Sequence, residues 1–478
     1  MIAMKKIKFI ISVLIVLLGI SCSENFLELE PKSNPDVNSL YETDTDFKLA
    51  VNGIYSEVQE YYRTFWRFSE LRADNGDHLW TGYETVQRVD QFRMLTTDDI
   101  LSSAWVDMYN AVFRSNMVLE KLETADPELV SNLNRYKAEA MFLRALNYFN
   151  IVRVWGEVPL ALNTLAPAEA LELPQSDVNT IYEKIIEDLT FARQNLPVSY
   201  SGDNLGRATK GAAVAILGKV YLTLQEYQLA ENVIAEAMGM GYSLLPDYND
   251  VFDHFNEHHA EYIFDIEYEP DLGGEGSNFA NEFIPNNPEF REHFGIIGDS
   301  RETMSPTDEF IGLFLPEDER LPISAAKGFM QGDGSFFTTN HSFTLKYIAS
   351  VSSNFDSRVN WKVTRFADVI LMYAEALNEN DKTEQAITEL NKIRTRADVP
   401  TYSGLSQTET RDAIAKERRL ELAFEGHRWF DLLRTGKAFE VMSAKGYDME
   451  SYQTVFAKPQ REIDVVNDPS ILSQNSGY

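Results

Sequence analysis

Between Gly211 and Met238 the residue sizes follow a pattern that suits two helices packed in close contact. With Gly211 as position 1, large residues fall at Val214, Leu217 and Ile234, and aromatic ones at Tyr221 and Tyr227. Small residues fall at Gly218, Ala230 and Ala237, which are positions 8, 20 and 27. Small side chains there let two antiparallel backbones approach, and the large ones fill the holes around them. A second copy starts at Ala367, with Ile370, Tyr373, Ala374, Leu377, Ala386 and Leu390 in the matching places. Ile393 stands where a small residue belongs, so this copy departs from the pattern. A long segment separates the copies, and a simple tandem array is not expected.

These spacings are those of the tetratricopeptide (TPR) repeat, a helix–turn–helix unit of about 34 residues. The rest of the chain extends the helical reading. Helical periodicity predicts helices over 46–62, 104–122, 133–155 and 181–196, the first capped by Asp44 or Thr45. Gly156, with Pro159 beyond it, ends the third. Two further helix pairs, 104–155 and 409–435, fit the repeat loosely. The region from about 240 to 360 reads differently. Tyr262–Tyr268 alternates as a strand, 270–288 is loop, and 342–348 is a second candidate strand. Long loops held by a helical scaffold usually carry function.

The N-terminus reads as an address. Lys5, Lys6 and Lys8 precede the apolar run Phe9–Ile20. Twelve residues span roughly 18 Å as a helix, too short for a hydrocarbon core of about 30 Å. A signal peptide over 1–21 is expected. The only cysteine, Cys22, ends this run, where a lipoprotein signal peptidase would leave it for acylation. Gly19 departs from the usual leucine of that motif. An acidic tether over 22–40 follows, and 41–478 reads as a single domain. Its N-terminal part covers about 41–240, its loop-rich ligand region about 240–360, and its C-terminal part about 300–478.

Composition removes several function classes. Lysine plus arginine number 43 against 74 acidic residues, a net charge of −31, which becomes −34 once the three lysines of 1–21 are removed. Phosphate neutralisation needs a basic footprint, so nucleic-acid binding is not expected. One cysteine excludes an intrachain disulfide and a cysteine-ligated cluster. His254, His258 and His259 have metal-like spacing but lie in a polar loop, and 74–77 lacks the remaining ligands of a calcium loop. No nucleophile elbow, P-loop or dinucleotide fingerprint is present. Neither an enzyme nor a cofactor is expected. The dense segment Glu425–Arg434 (EGHRWFDLLR) reads as a scaffold, its arginines tied to Glu417, Glu421 or Asp431 in a buried network.

Several segments, in order, carry a family signature. They are Cys22 with SENFLELEP, Glu139–Leu160 (EAMFLRALNYFNIVRVWGEVPL), Arg365–Glu375 (RFADVILMYAE) and Leu390–Ala397 (LNKIRTRA). Ile414–Arg434 (IAKERRLELAFEGHRWFDLLR), Pro459–Asp464 (PQREID) and Leu472–Tyr478 (LSQNSGY) complete it. The chain resembles the SusD/RagB family over nearly the whole of the expected mature sequence. The resemblance implies a mainly α fold, a TPR-like scaffold of four helix pairs with irregular loops and a few short strands on one side. It also implies a lipid-anchored, surface-exposed protein of the outer membrane that partners a SusC-like TonB-dependent transporter. The usual role is binding an oligosaccharide and delivering it, with peptide binding or a ligand-free TPR scaffold as alternatives.

A sugar offers C–H faces for aromatic rings and a hydroxyl rim for polar side chains. Aromatics on loops are therefore the candidates. Trp66, Trp80 and Tyr83, with Asn75 and Asp77 nearby, form one set. Phe290 and Phe294, with Arg291, form the other. Trp80 is the leading candidate because polar residues flank it. Trp105, Trp155, Trp361 and Trp429 sit in or beside helical motifs and are expected in the core. The acidity of the chain disfavours an anionic glycan unless Arg63, Arg67, Arg72 or Arg291 makes a local basic pocket.

Overall fold

The computed structural model describes residues 41–478; the expected signal peptide, Cys22 and the tether lie outside the described residues. Among the described residues, nine helices of twelve or more residues dominate. They are α1 (Asp44–Ser69), α2 (Asp99–Glu123), α3 (Leu133–Trp155), α4 (Val178–Asn195) and α5 (Lys210–Thr223), then α6 (Tyr227–Met238), α7 (Phe366–Glu379), α8 (Thr383–Arg396) and α9 (Gln407–Glu421). Local chemistry fixes their starts. Thr43 caps α1 in a reciprocal box with Asp46, one residue earlier than expected. Asp177 caps α4, Thr209 caps α5, and Ser406 with Glu409 boxes α9. Helix α1 runs seven residues beyond the expected end because Phe65, Trp66 and Phe68 continue its buried face.

The helices pack in sequence: α1 on α2, α3 on α4, α5 on α6 and α7 on α8, with α2–α3, α4–α5 and α6–α7 contacts joining the pairs. The two copies read from the sequence are thus spatial neighbours. Gly218 shows why the size pattern matters: a Cβ there would collide with Ile234. Ala230, Ala237, Ala374 and Ala386 are fully buried at the equivalent close approaches. The expected pair over 409–435 does not form. Instead α9 packs on α7 and α8, and the short helix Arg428–Arg434 packs on α1.

Residues 239–365 are an excursion between α6 and α7. Strand β1 (Tyr262–Ile266) near its start pairs antiparallel with β4 (Trp361–Arg365) at its end, Tyr262 opposite Arg365 and Ile266 opposite Trp361. That pairing returns the chain to where α7 can stack on α6. Further out, β2 (Ala326–Met330) and β3 (Phe336–Phe343) form a hairpin. The strand expected over 342–348 is mostly a 3-10 turn at Leu345–Tyr347, whose Lys346 and Tyr347 are buried. Gly76–Asp77 pairs with Ser305–Pro306 and fastens the loop after α1 to the excursion. No helix among the described residues is long and apolar enough to cross a membrane.

A buried ion network joins the excursion to the helices. Arg365 lies 2.6 Å from Glu261, 2.6 Å from Glu421 and 2.7 Å from Glu425. Arg320 reaches Asp318 at 2.8 Å and Glu417 at 2.6 Å, and Arg394 reaches the other Glu417 oxygen at 2.6 Å. Arg396 bridges Glu421 and Glu261, and Lys346 holds Glu425 at 2.7 Å. Five carboxylates and five cations meet here, so the desolvated charges balance. Against its burial, Arg365 and Lys346 hold Glu425 down to about 2. A second set ties Asp368 to Lys219 at 2.8 Å and Arg418 at 2.9 Å, and Asp431 to Arg418 at 3.0 Å. Of the partners expected for the arginines of the segment 425–434, Asp431 holds Arg434 at 2.8 Å, whereas Arg428 pairs with Asp74 at 2.7 Å, and Glu417 and Glu421 lock the preceding helix through Arg320, Arg394, Arg365 and Arg396.

Candidate functional site

The loop from Leu71 to Tyr83 leaves the C-terminal end of α1 and runs across to the excursion. Its first half is structural. Glu70 is buried and accepts backbone hydrogen bonds from Phe424 and Gly426, both at 3.1 Å. Asn75, expected at a ligand rim, is fully buried. Its amide donates to Glu70 at 2.9 Å and its carbonyl oxygen accepts from Arg419 at 2.9 Å. Its hydrogen-bonding groups are engaged inside the fold, and that expectation is corrected. Asp77 is more open and pairs with Lys445 at 2.8 Å.

Trp66 is also corrected. It sits on α1 rather than on a loop and has no exposed surface. Its indole N–H donates to the Arg63 carbonyl at 3.0 Å, and its ring meets Phe283 edge-on at 5.1 Å. Phe290 is likewise core: its ring lies 4.7 Å from Phe343 and 5.6 Å from Phe329. Apolar burial in the excursion outweighs any surface role for that ring. Phe294 is partly buried on the same cluster, 4.5 Å from Phe290. Arg291 is half-buried and donates to Ser300 at 2.9 Å. Phe290 and Phe294 therefore belong to an aromatic cluster of the excursion that is continuous with the main core. Trp105, Trp155, Trp361 and Trp429 are buried, as expected.

Trp80 and Tyr83 are half-buried and lie together, ring centres 6.5 Å apart at 70°. Gly82 makes this possible, since a Cβ there would strike the Trp80 indole. Sequence reasoning missed their partners from the excursion. The Arg301 guanidinium lies 5.1 Å from the Trp80 ring centre and 4.3 Å from that of Phe355, itself half-buried. Arg301 is fixed by Glu282 at 2.8 Å. From α1, the Arg67 guanidinium lies 5.3 Å from both Tyr83 and Trp66. Rings and guanidiniums thus form a row from Trp66 through Arg67, Tyr83, Trp80 and Arg301 to Phe355, with Tyr83 and Trp80 meeting ring to ring. Each stacked contact contributes about 0.5–1 kcal/mol at a partly exposed site. No spacing rule links 67, 80, 301 and 355, so only the tertiary pairing of Gly76–Asp77 with Ser305–Pro306 could reveal the set.

Below this face His78 is buried. Its Nδ1 shares a 3.4 Å hydrogen bond with the Thr303 carbonyl, and its Nε2 has no partner. Burial pushes its pKa down to about 4, so the ring is neutral at physiological pH. The His254–His259 segment holds no metal cage: His258 pairs with Glu267 at 2.5 Å. Among the described residues no group of three or more His, Cys, Asp or Glu side chains is arranged to hold a metal. A cavity of about 500 Å³ opens elsewhere, between α1 and β1, lined by Asn52, Ser56, Gln59, Arg207 and Glu267. None of the predicted ligand residues lines it.

Comparison with known proteins places this architecture. Residues 331–475 match the family model described as the SusD family. Residues 25–222 match a SusD-like model described as starch-binding, associating with the outer membrane. SusD-like protein P25 of Formosa agariphila is 27% identical over 99% of this chain and 100% of its own length. SusD-like protein P38 of the same organism is 28% identical over 92% of this chain and 94% of its own. Among solved structures, a laminarin binding SusD-like protein superposes with a TM-score of 0.79 at 29% identity, covering 92% of this chain and all of that one. With the interrupted stack of helix pairs, the locked signature segment and matches at both ends, the chain belongs to the SusD family.

Proposed function

We propose that this protein is a non-enzymatic, lipid-anchored receptor of the outer cell surface. It binds an oligo- or polysaccharide and delivers it to a SusC-like TonB-dependent transporter. The observation that carries the reading is the Trp80 face. Two half-exposed rings, Trp80 and Tyr83, stand on loops beside a fixed guanidinium, the combination that takes a sugar's C–H face and its hydroxyl rim. The similarity to a laminarin binding SusD-like protein supports a glycan as the ligand. Cys22, at the end of the apolar run, is the proposed acylation site. The net charge of −31 gives no attraction to an anionic outer surface, so docking depends on the transporter.

Two measurements test this. Native electrophoresis through gels containing single polysaccharides should retard the protein in at least one; a peptide ligand, or no ligand, leaves mobility unchanged throughout. Tagged protein extracted from outer membranes in mild detergent should carry a large β-barrel transporter with it. Recovery of the tagged protein alone would contradict the delivery role.

A further inference from the structure

The arginines around the Trp80 face are held in different ways. Arg63 is fully engaged, with Glu60 at 2.6 Å and the Gly276 carbonyl at 3.0 Å. Arg72 is buried among the rings of Phe92, Phe456 and Trp429. Arg291 is held by Ser300. Arg67 differs. It is 7% exposed, its Nε is sealed from solvent without an acceptor, and no carboxylate lies within ion-pair distance among the described residues. Of the acids nearby, Glu282 is already bonded to Arg301. Glu302 is engaged with His341 at 3.0 Å. Two guanidiniums therefore stand beside the two candidate sugar-binding rings, Arg301 paired with Glu282 and Arg67 in no ion pair, while Asp99 accepts a 3.4 Å hydrogen bond from the Tyr83 hydroxyl.

A buried N–H without an acceptor is costly, and native folds keep few of them. The stacking of Arg67 between Trp66 and Tyr83 fixes the guanidinium but supplies no hydrogen-bond acceptor. A guanidinium fork matches a planar carboxylate or a sulfate in two parallel bonds, whereas a hydroxyl answers only one N–H. We infer that the saccharide taken at this face carries an acidic substituent, a carboxylate or a sulfate, received by Arg67 with Arg301 at its side. This rests on the Trp80 face being the glycan site proposed above.

The test compares the wild type with Arg67→Gln, Arg301→Gln and Trp80→Ala on native gels containing laminarin (neutral), alginate (a polyuronate) or carrageenan (a sulfated galactan). The expected result is stronger retention of the wild type by alginate or carrageenan than by laminarin, weakened at high salt. Arg67→Gln should reduce that retention about tenfold and lower any laminarin retention by less. Arg301→Gln, at a more open position, should likewise lower acidic-glycan retention by more than it lowers any laminarin retention, and serves if Arg67→Gln fails to fold. Retention by laminarin alone, or by none of the three, overturns the acidic assignment, as does wild-type behaviour of both arginine variants. Undiminished retention of Trp80→Ala in every gel overturns the face itself, which separates the two failures.

Discussion

The Arg301 guanidinium lies 5.1 Å from the centre of the Trp80 indole, although the two residues are more than two hundred positions apart. The excursion between α6 and α7 thereby reaches back to the loop that follows α1. A fold built this way separates its jobs. The helix pairs supply rigidity, and the long excursion supplies surface chemistry.

Trp80→Ala removes a half-exposed ring and leaves the core intact. Glycan retention should fall about tenfold, or about 1.4 kcal/mol, while thermal stability stays within a degree or two of wild type. Affinity electrophoresis with a melting scan checks both halves, and a large drop in melting temperature would mean that Trp80 is part of the core instead.

Gly82→Ala should act on the same ring from below. Its Cβ would meet the Trp80 indole, so the ring must shift. Retention should drop by several-fold with little change in stability, and an unaltered dissociation constant would show that the position of the ring is irrelevant.

Gly218→Leu strikes the helix stack. Ile234 already occupies the space of a Cβ at 218. Overpacking of this kind costs about 1–3 kcal/mol. Urea unfolding should show a lower midpoint, and the folded fraction should still bind glycan. A midpoint equal to wild type would mean that the α5–α6 contact tolerates separation.

Arg365→Met leaves Glu261, Glu421 and Glu425 without their shared cation and should cost about 3–5 kcal/mol. The same network predicts acid sensitivity. Glu425 is held at about 2, below its unfolded value, so its contribution is present above that value and is lost as pH falls towards 2. Denaturant midpoints measured from pH 5 down to pH 3 should fall; flat midpoints would show the network contributes nothing.

Asp90 has the opposite sign. Burial pushes its carboxyl up to about 7, with Lys445 opposing the rise and Asp77 adding to it. The folded state favours the protonated form, so the stability it gives is present at low pH and is lost as pH rises through 7. Asp90→Asn should flatten the fall in stability between pH 4 and pH 7. An identical slope in the variant would remove Asp90 as its source.

The scaffold was legible because close helix packing constrains residue size at fixed spacing. Gly218, Ala230 and Ala237 announce α5 and α6 with no tertiary knowledge. The stacking of α6 on α7 was not legible, since it depends on β1 pairing with β4 across the excursion. Among the ligand candidates, Trp80 and Tyr83 stand together at a partly open face. Trp66 and Phe290 are core because apolar periodicity runs through α1 past Tyr62 and because the excursion has its own aromatic cluster. Arg301 and Phe355 lacked any local signal, since a binding face assembled from distant loops has no sequence period.

The central claim is that a saccharide binds at the Trp80 face. Isothermal titration of the wild type and Trp80→Ala with oligosaccharides cut from the polymer that retards the wild type tests it most directly. The account predicts saturable one-to-one binding by the wild type and at least tenfold weaker binding by a variant that melts at the same temperature. Equal affinity in both proteins would contradict it.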